Sequence, residues 1–407
     1  MIPSETTEHA ADGGGVLRAI AILSASSLTL FALAAVAPSL PAIERAYTDV
    51  PDAALLTRMV LTITALFIAL SAPISGMFVD RIGRKPVLLS ALVVYVVSGT
   101  AGIWLEGLIE ILVSRAILGI AAGMILTAAT TLIGDFYDGE ARNRMAGLQV
   151  SMMVFAVAGG TTVAGMLAET DWRLPFYLYA LALVVLPLVF LGIREPARSI
   201  SSGQTGGDAT GTPRKAFLGA AVIYVLIWLS MVSTFIIPSQ MPFLLPEIGI
   251  SAAFLAGISI AVFNAVAASI AIFYRRLRGR FDINIILAGC FLFLGAGLLL
   301  AATAQALPQA MLGMVFAGIG FGPLMPTFFA WLLAIAPVSL RGRFVGGLTF
   351  FQFFGLFASP LYSQPIADRI DMTGAFAVTG LLQIALGLAF AGAVVSTIFF
   401  GGMRKQD

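Results

Sequence analysis

A chain of 407 residues with 59% hydrophobic and only 11% charged side chains is not an ordinary water-soluble domain, in which about a quarter of residues are charged. Its mean hydropathy of +0.99, 42 Gly and 30 Phe place it among polytopic membrane proteins. The net charge of +2 singles out no class of charged partner, and no nucleic acid is called for. One cysteine, Cys290, excludes an internal disulfide framework and thiolate metal clusters. One histidine, His9 in a polar N-terminal tail, leaves none for an intramembrane relay.

In chain order, the polar start carries a late Arg18, and the apolar run behind it is too long for a signal-peptide core. The first span is therefore expected to be an uncleaved anchor. Runs free or nearly free of charge, each at least about 20 residues long, are the spanning signal. They lie at 19–43, 59–79, 86–105, 107–133 (interrupted by Arg115), 145–168 and 174–193. Six more lie at 216–246, 248–274, 283–307, 308–340, 344–367 and 372–403. Strands of a barrel alternate in roughly ten-residue pieces, and these runs are longer and uniformly apolar. The Gly/Ser/Thr-rich stretch within 194–215 cannot bury apolar surface and reads as a flexible linker. The expected organisation is a tail at 1–18, a half at 19–193, the linker, a second half at 216–403 and a tail at 404–407.

Placing the N-terminus inside puts 18 of the 23 basic residues on the inner segments, and leaves Arg45, Arg58, Arg173 and Arg369 outside. By the positive-inside rule both termini and the linker are expected in the cytoplasm of an inner-membrane, multi-pass protein. The halves repeat: Arg142-x-Arg144-x-x-Gly147 returns as Arg341-x-Arg343-x-x-Gly346, and the same offset carries Gly119 and Gly123 onto Gly318 and Gly322. Pro38-Ser39-Leu40-Pro41 is read as closing span one, as Pro238 to Pro242 close span seven. Duplicated six-span halves mark secondary transporters, which bind substrate between the halves.

Three motifs bear on the family. Gly76-x-x-x-Asp80-Arg81-x-Gly83-Arg84-Lys85 falls between spans two and three, Arg115-x-x-x-Gly119-x-x-x-Gly123 in span four, and Trp172-Arg173-x-Pro175-Phe176-Tyr177 before span six. They resemble the signatures of the major facilitator superfamily, and the likeness covers nearly the whole chain. The resemblance implies an all-α protein of two six-helix bundles related by pseudo-two-fold symmetry, which works by alternating access and is not an enzyme. It also implies that Asp80, Arg81 and Arg84, with Gly76 and Gly83 of the same motif, form a conformational latch that holds the outward-facing state. Asp135, at the cytoplasmic end of span four, is the candidate partner of Arg84 or Arg81 by its position. Basic residues that merely fix topology would account for Arg84 and Lys85 but not for Asp80. The second-half loop, Tyr274 to Arg280, has Arg276 where Asp80 stands, so the latch is expected on one side only.

Arg115 lies about 12 Å into its span at 1.5 Å per residue. A charge there costs about 2.5–3.5 kcal/mol unpaired, so it is expected to face a polar cavity and have a partner. The family resemblance implies a part for it in proton coupling or cavity electrostatics. The alternative is an arginine snorkelling outward beside Glu106 or Glu110. No carboxylate lies deep in a span. In span five, Ala156-x-x-x-Gly160-Thr161-x-x-Ala164-Gly165 keeps two of five marked positions of the antiporter signature. The stretch Phe350-Phe351-Gln352-Phe353-Phe354-Gly355-x-x-x-Ser359-Pro360 resembles the sugar-efflux and multidrug branch. Cavity candidates are Ser27, Gln149, Ser233, Gln240, Asn264 and Gln352, with the aromatics Phe155, Trp228, Phe235, Phe263, Phe321, Phe328, Trp331 and Phe351. Such a lining suits large amphipathic solutes, although each aromatic could equally be packing. Gly322, Pro323 and Pro326 predict a kinked span ten, and Gly119, Gly123, Gly160 and Gly165 close helix contacts. The resulting expectation is proton-coupled export of a small amphipathic organic molecule by a functional monomer, driven by the proton gradient without a cofactor. The alternative is transport of an anionic metabolite recognised by Arg115. The partners expected are the substrate and the bilayer.

Overall fold

The computed structural model describes residues 9–196, 213–337 and 340–401. Most of the expected linker, residues 197–212, lies outside the described residues, as do Arg404 and Lys405. Among the described residues there is no strand, and the twelve apolar runs become twelve helical spans. Spans one to six are Gly15–Ala46, Ala53–Ile82, Arg84–Ile103, Leu108–Phe136, Gly139–Ala168 and Leu174–Gly192. Spans seven to twelve are Ala216–Glu247, Ala253–Ile272, Ile283–Ala302, Leu307–Ile335, Arg341–Arg369 and Met372–Ala393.

Three spans are broken. Span one interrupts its α-helix at Ala34, passes through a 3-10 turn at Ala37–Ser39 and resumes as Leu40–Ala46. Pro38 therefore sits in a break within the span and Pro41 in the first turn of the resumed helix, so they do not close the span. A proline removes an N–H donor and clashes with the preceding turn. Span seven breaks in the same way at Phe235, and its Pro238 lies inside the resumed helix Ile236–Glu247. Span ten divides at Gly322 and Pro323 into Leu307–Phe321 and Leu324–Ile335, as its Gly/Pro content predicts. The basic loop after span eight is a short helix, Tyr274–Arg280, with no buried residue.

The repeat in sequence is a repeat in packing. A Cβ on Gly119 would lie 2.5 Å from the Thr64 carbonyl oxygen, so span four sits with its backbone against span two. At the repeat position, a Cβ on Gly318 would lie 2.7 Å from the Phe263 carbonyl oxygen, so span ten sits against span eight in the same manner. Small residues let the helices approach until dispersion contacts are dense, which replaces the hydrophobic drive that lipid does not supply.

The halves meet at one end. Spans two and eleven, and spans five and eight, pack across the boundary. The polar contacts that join them lie at the ends remote from the termini: Arg58 to Gln240, and the Phe254 N–H to Glu169. There a Cβ on Gly165 would lie 2.9 Å from the Ala253 carbonyl oxygen. Toward the end that carries the termini, the same spans expose apolar side chains, among them Met77 at 56%, Val150 at 60% and Ile272 at 76%. The contacts that join the two bundles thus gather at the end remote from the termini.

Candidate transport site and its two ends

At the end that carries the termini, Gly83 is the single residue between the helices of spans two and three. Its φ of +116° is a left-handed conformation that side-chain-bearing residues rarely adopt. A Cβ there would also lie 2.6 Å from the Glu195 carboxylate. That carboxylate, which follows span six, accepts the backbone N–H of Arg84 and of Lys85, each at 2.7 Å. The first N–H groups of a helix have no partner of their own and carry positive dipole, so Glu195 supplies both needs of span three. Arg84 Nε meets Asp135 Oδ2 at 2.9 Å, and Lys85 Nζ donates to the Phe190 carbonyl at 2.7 Å. Asp135 is thus the partner expected for Arg84, and Glu195 is one the sequence reading did not name. Asp80 is exposed and makes no hydrogen bond or ion pair among the described residues. Gly76 faces open space, with nothing within 4 Å of an added Cβ.

Arg115 is neither in a polar cavity nor snorkelling. It is 1% exposed, enclosed by spans three, four and six of its own half. Its Nη2 donates to the Ser98 and Gly99 carbonyls at 2.8 and 2.6 Å, and its Cζ lies 4.9 Å from the Phe176 ring centroid and 4.8 Å from that of Tyr179. Those carbonyls end the α-helix of span three, where acceptors are orphaned and the dipole is negative. The charge is met by carbonyl dipoles and ring faces, and neither Glu106 nor Glu110 pairs with it. Nε and Nη1 have no hydrogen-bond partner.

The candidate cavity residues divide into enclosed and accessible sets. Ser233 is fully buried and accepts Gln383 Nε2 at 2.6 Å; Phe328 is fully buried, and Phe235 and Phe263 are nearly so. Gln149 is 6% exposed and donates to Ser26 Oγ at 2.9 Å and Thr130 Oγ1 at 3.3 Å, tying span five to spans one and four. In this conformation these residues are internal ties and packing, because their polar atoms are satisfied within the bundle or their rings are covered. Ser27 and Phe155 line a groove of about 550 Å³ with Gly160 and Phe31. Trp228, Asn264, Phe321, Trp331, Phe351 and Gln352 are partly exposed. Asn264 Nδ2 donates to the Ile260 carbonyl of its own helix, Phe351 stacks on Tyr224 at 5.2 Å, and Phe321 packs on Phe263 at 5.4 Å.

Gln240 is not a cavity residue at all. It is fully buried in the contact between the halves, in a chain of polar side chains the sequence reading did not see. Arg58, 2% exposed, donates Nη1 to Glu44 Oε2 at 2.7 Å and to the Ala54 carbonyl at 2.6 Å, and Nε to Gln240 Oε1 at 2.7 Å. Gln240 Nε2 donates to Ser363 Oγ at 2.9 Å, and lies 3.4 Å from Gln364 Oε1. Gln364 Nε2 donates in turn to Asp368 Oδ1 at 2.7 Å. The Arg58 guanidinium also lies 3.8 Å over the Phe243 ring. The signal available in the sequence was an arginine at the edge of an apolar run, one residue before Met59, which reads equally well as a topology charge.

Comparison with known proteins agrees with this geometry. The sequence profile of the Major Facilitator Superfamily matches residues 22–360. Multidrug resistance protein 1 of Bacillus subtilis is 31% identical over 169 residues, 40% of this chain and 42% of that protein. Multidrug resistance protein MdtL of Klebsiella pneumoniae is 28% identical over 283 residues, 66% of this chain and 68% of that one. Quinolone resistance protein NorA of Staphylococcus aureus is 26% identical over 133 residues, 32% of this chain and 34% of that one. The matched segment thus spans under half the length of the B. subtilis and S. aureus relatives. Among solved structures, a D-xylose-proton symporter superposes with a TM-score of 0.73 at 17% identity, covering 91% of this chain and 96% of that one. A bacterial homolog of the human lysosomal transporter Spinster, in an inward-facing conformation, gives 0.71 at 17% identity, with 95% and 96% covered. At that identity the likeness is one of fold.

Proposed function

The chain belongs to the major facilitator superfamily, a family of transporters and not of enzymes, and from that premise we propose that it is a proton-coupled exporter of small, amphipathic organic molecules. In this reading it sits in the inner membrane with the basic, terminus-bearing end in the cytoplasm. The structure described above is then the inward-open state.

The observation that carries the reading is the one-ended contact between the halves. A carrier needs two states of similar free energy, each sealed on one side. Here the outer ends are packed together, while at the inner ends Asp80 is exposed and Gly76 has open space beside it. Asp80 then re-engages when that end closes, as the resemblance implies for the outward-facing state. The Arg84–Asp135 pair and Glu195 hold the loop in register on spans three, four and six while Asp80 stays free to switch. Export, and not uptake, is favoured by the multidrug and quinolone resistance relatives. The accessible candidates are aromatic and weakly polar, which suits recognition of amphipathic solutes by stacking and area burial. Recognition of an anion by Arg115 is disfavoured, since that side chain is enclosed within one half.

The test is transport of a cationic amphipathic dye by purified protein in liposomes under an imposed pH gradient. Antiport predicts dye uptake driven by an acidic interior and abolished by a protonophore. Uptake indifferent to both would overturn proton coupling, and the absence of any dye flux would overturn the substrate class.

A further inference from the structure

Arg58 divides its hydrogen bonds between the two halves. Its ion pair, Glu44, and the Ala54 carbonyl belong to its own half. What it holds across the boundary is uncharged: Gln240 Oε1 and the face of Phe243. The charged groups set around it are Glu44, in the resumed helix of span one, and Asp368 of span eleven, reached through Gln364 and Gln240. The division has a physical consequence. When the outer ends part, Arg58 keeps its carboxylate, so no buried charge is left alone, and the contact broken is one charge-to-amide hydrogen bond and one ring contact. Had Glu44 been on the far half, each opening would separate a desolvated ion pair, which is costly.

We infer that Arg58 is the lock of the outer gate, a positioning residue that closes the outer face in each transport cycle by docking on Gln240 and Phe243. The inference rests on the alternating-access reading but not on the substrate or the coupling ion. Its partner side is prepared for the task. Gln240 is fully buried and fixed by Ser363 and Gln364, so its carbonyl oxygen is presented to Arg58 without side-chain reorganisation. The lock at this end therefore runs from a charge to a neutral amide, whereas the inner end relies on Asp80.

The test reads gate position directly. A reporter, Thr62→Cys, sits one turn below Arg58 on the same helix and is fully buried in the sealed state. It is placed in a Cys290→Ser background and exposed to a membrane-impermeant maleimide from outside. Arg58→Met is expected to raise the labelling rate about thirtyfold, equivalent to about 2 kcal/mol at 1.4 kcal/mol per tenfold. Gln240→Leu is expected to do the same, and Arg58→Lys, which keeps the charge on Glu44 but cannot divide its donors in the same fork, to fall between. In parallel chains that retain Cys290 and lack the reporter, that buried thiol should stay unreactive, which separates gate opening from unfolding. Unchanged labelling in Gln240→Leu overturns the proposal, whatever Arg58→Met does. So does a rise accompanied by Cys290 reactivity, or loss of both variants from the membrane, since either means the residues hold the fold and not the gate.

Discussion

Replacing Arg115 by Met separates a residue that ties one half together from one that works in a cavity. The substitution removes two charge-assisted hydrogen bonds and leaves the Ser98 and Gly99 carbonyls unpaired in a dry environment. Each orphaned acceptor costs about 1–3 kcal/mol. Against this, the variant no longer buries a guanidinium whose Nε and Nη1 lack partners, a penalty of about the same size per donor. These contributions nearly offset each other. What remains is the loss of two cation–ring contacts, about 0.5–2 kcal/mol each. The expected net destabilisation is about 2 kcal/mol, read as a lowered melting temperature of the detergent-solubilised protein. Transport per folded molecule, its pH profile and its substrate range should stay as in the parent. Transport abolished at an unchanged melting temperature, or a shifted pH profile, would refute the assignment and return Arg115 to the coupling chemistry.

Other expectations follow from the same geometry. Asp80→Asn should abolish transport while leaving expression and melting unchanged, and full activity in that variant would remove the latch. Gly83→Ala forces a side chain into a left-handed backbone and onto Glu195, and should cost about 1–3 kcal/mol of stability together with most of the transport rate. Glu195→Ala should cost about 1–2 kcal/mol by stranding the first N–H groups of span three, with transport reduced but not lost. Asp371, between spans eleven and twelve, is held below the usual carboxylate range by the Gly374 N–H and the Thr373 hydroxyl. A depressed folded-state pKa stabilises above the unfolded value, about 3.9, and is lost as pH falls further. Asp371→Asn should therefore leave the pH profile of transport unchanged above about pH 5, and a shift there would contradict it.

The spans were legible because lipid imposes length and apolarity on each segment independently, so no knowledge of neighbours is needed. The broken span ten was legible for a similarly local reason, the clustering of Gly322, Pro323 and Pro326. The Arg84–Asp135 pair could be read because opposite charges at the same membrane face have few alternatives. Arg115 was misread because its partners carry no charge: carbonyls at a helix end and two ring faces leave no signature in composition. Glu195 escaped notice because it sits where a polar linker begins, among residues expected to be solvated. Arg58 and Gln240 are 182 positions apart and meet only when two bundles close on each other, a relation that neither hydropathy nor the internal repeat encodes. The same blindness placed Gln240 in the cavity.

Distances between the two ends under turnover test the central claim most directly. Spin labels at Leu148→Cys and Ile272→Cys would report the inner ends of spans five and eight, and labels at Arg45→Cys and Ile250→Cys the outer ends, all in a Cys290→Ser background. Alternating access predicts that substrate and an imposed pH gradient shift the inner pair toward shorter distances and the outer pair toward longer ones, with anticorrelated populations. Flux of substrate with both distance distributions unchanged would contradict the account.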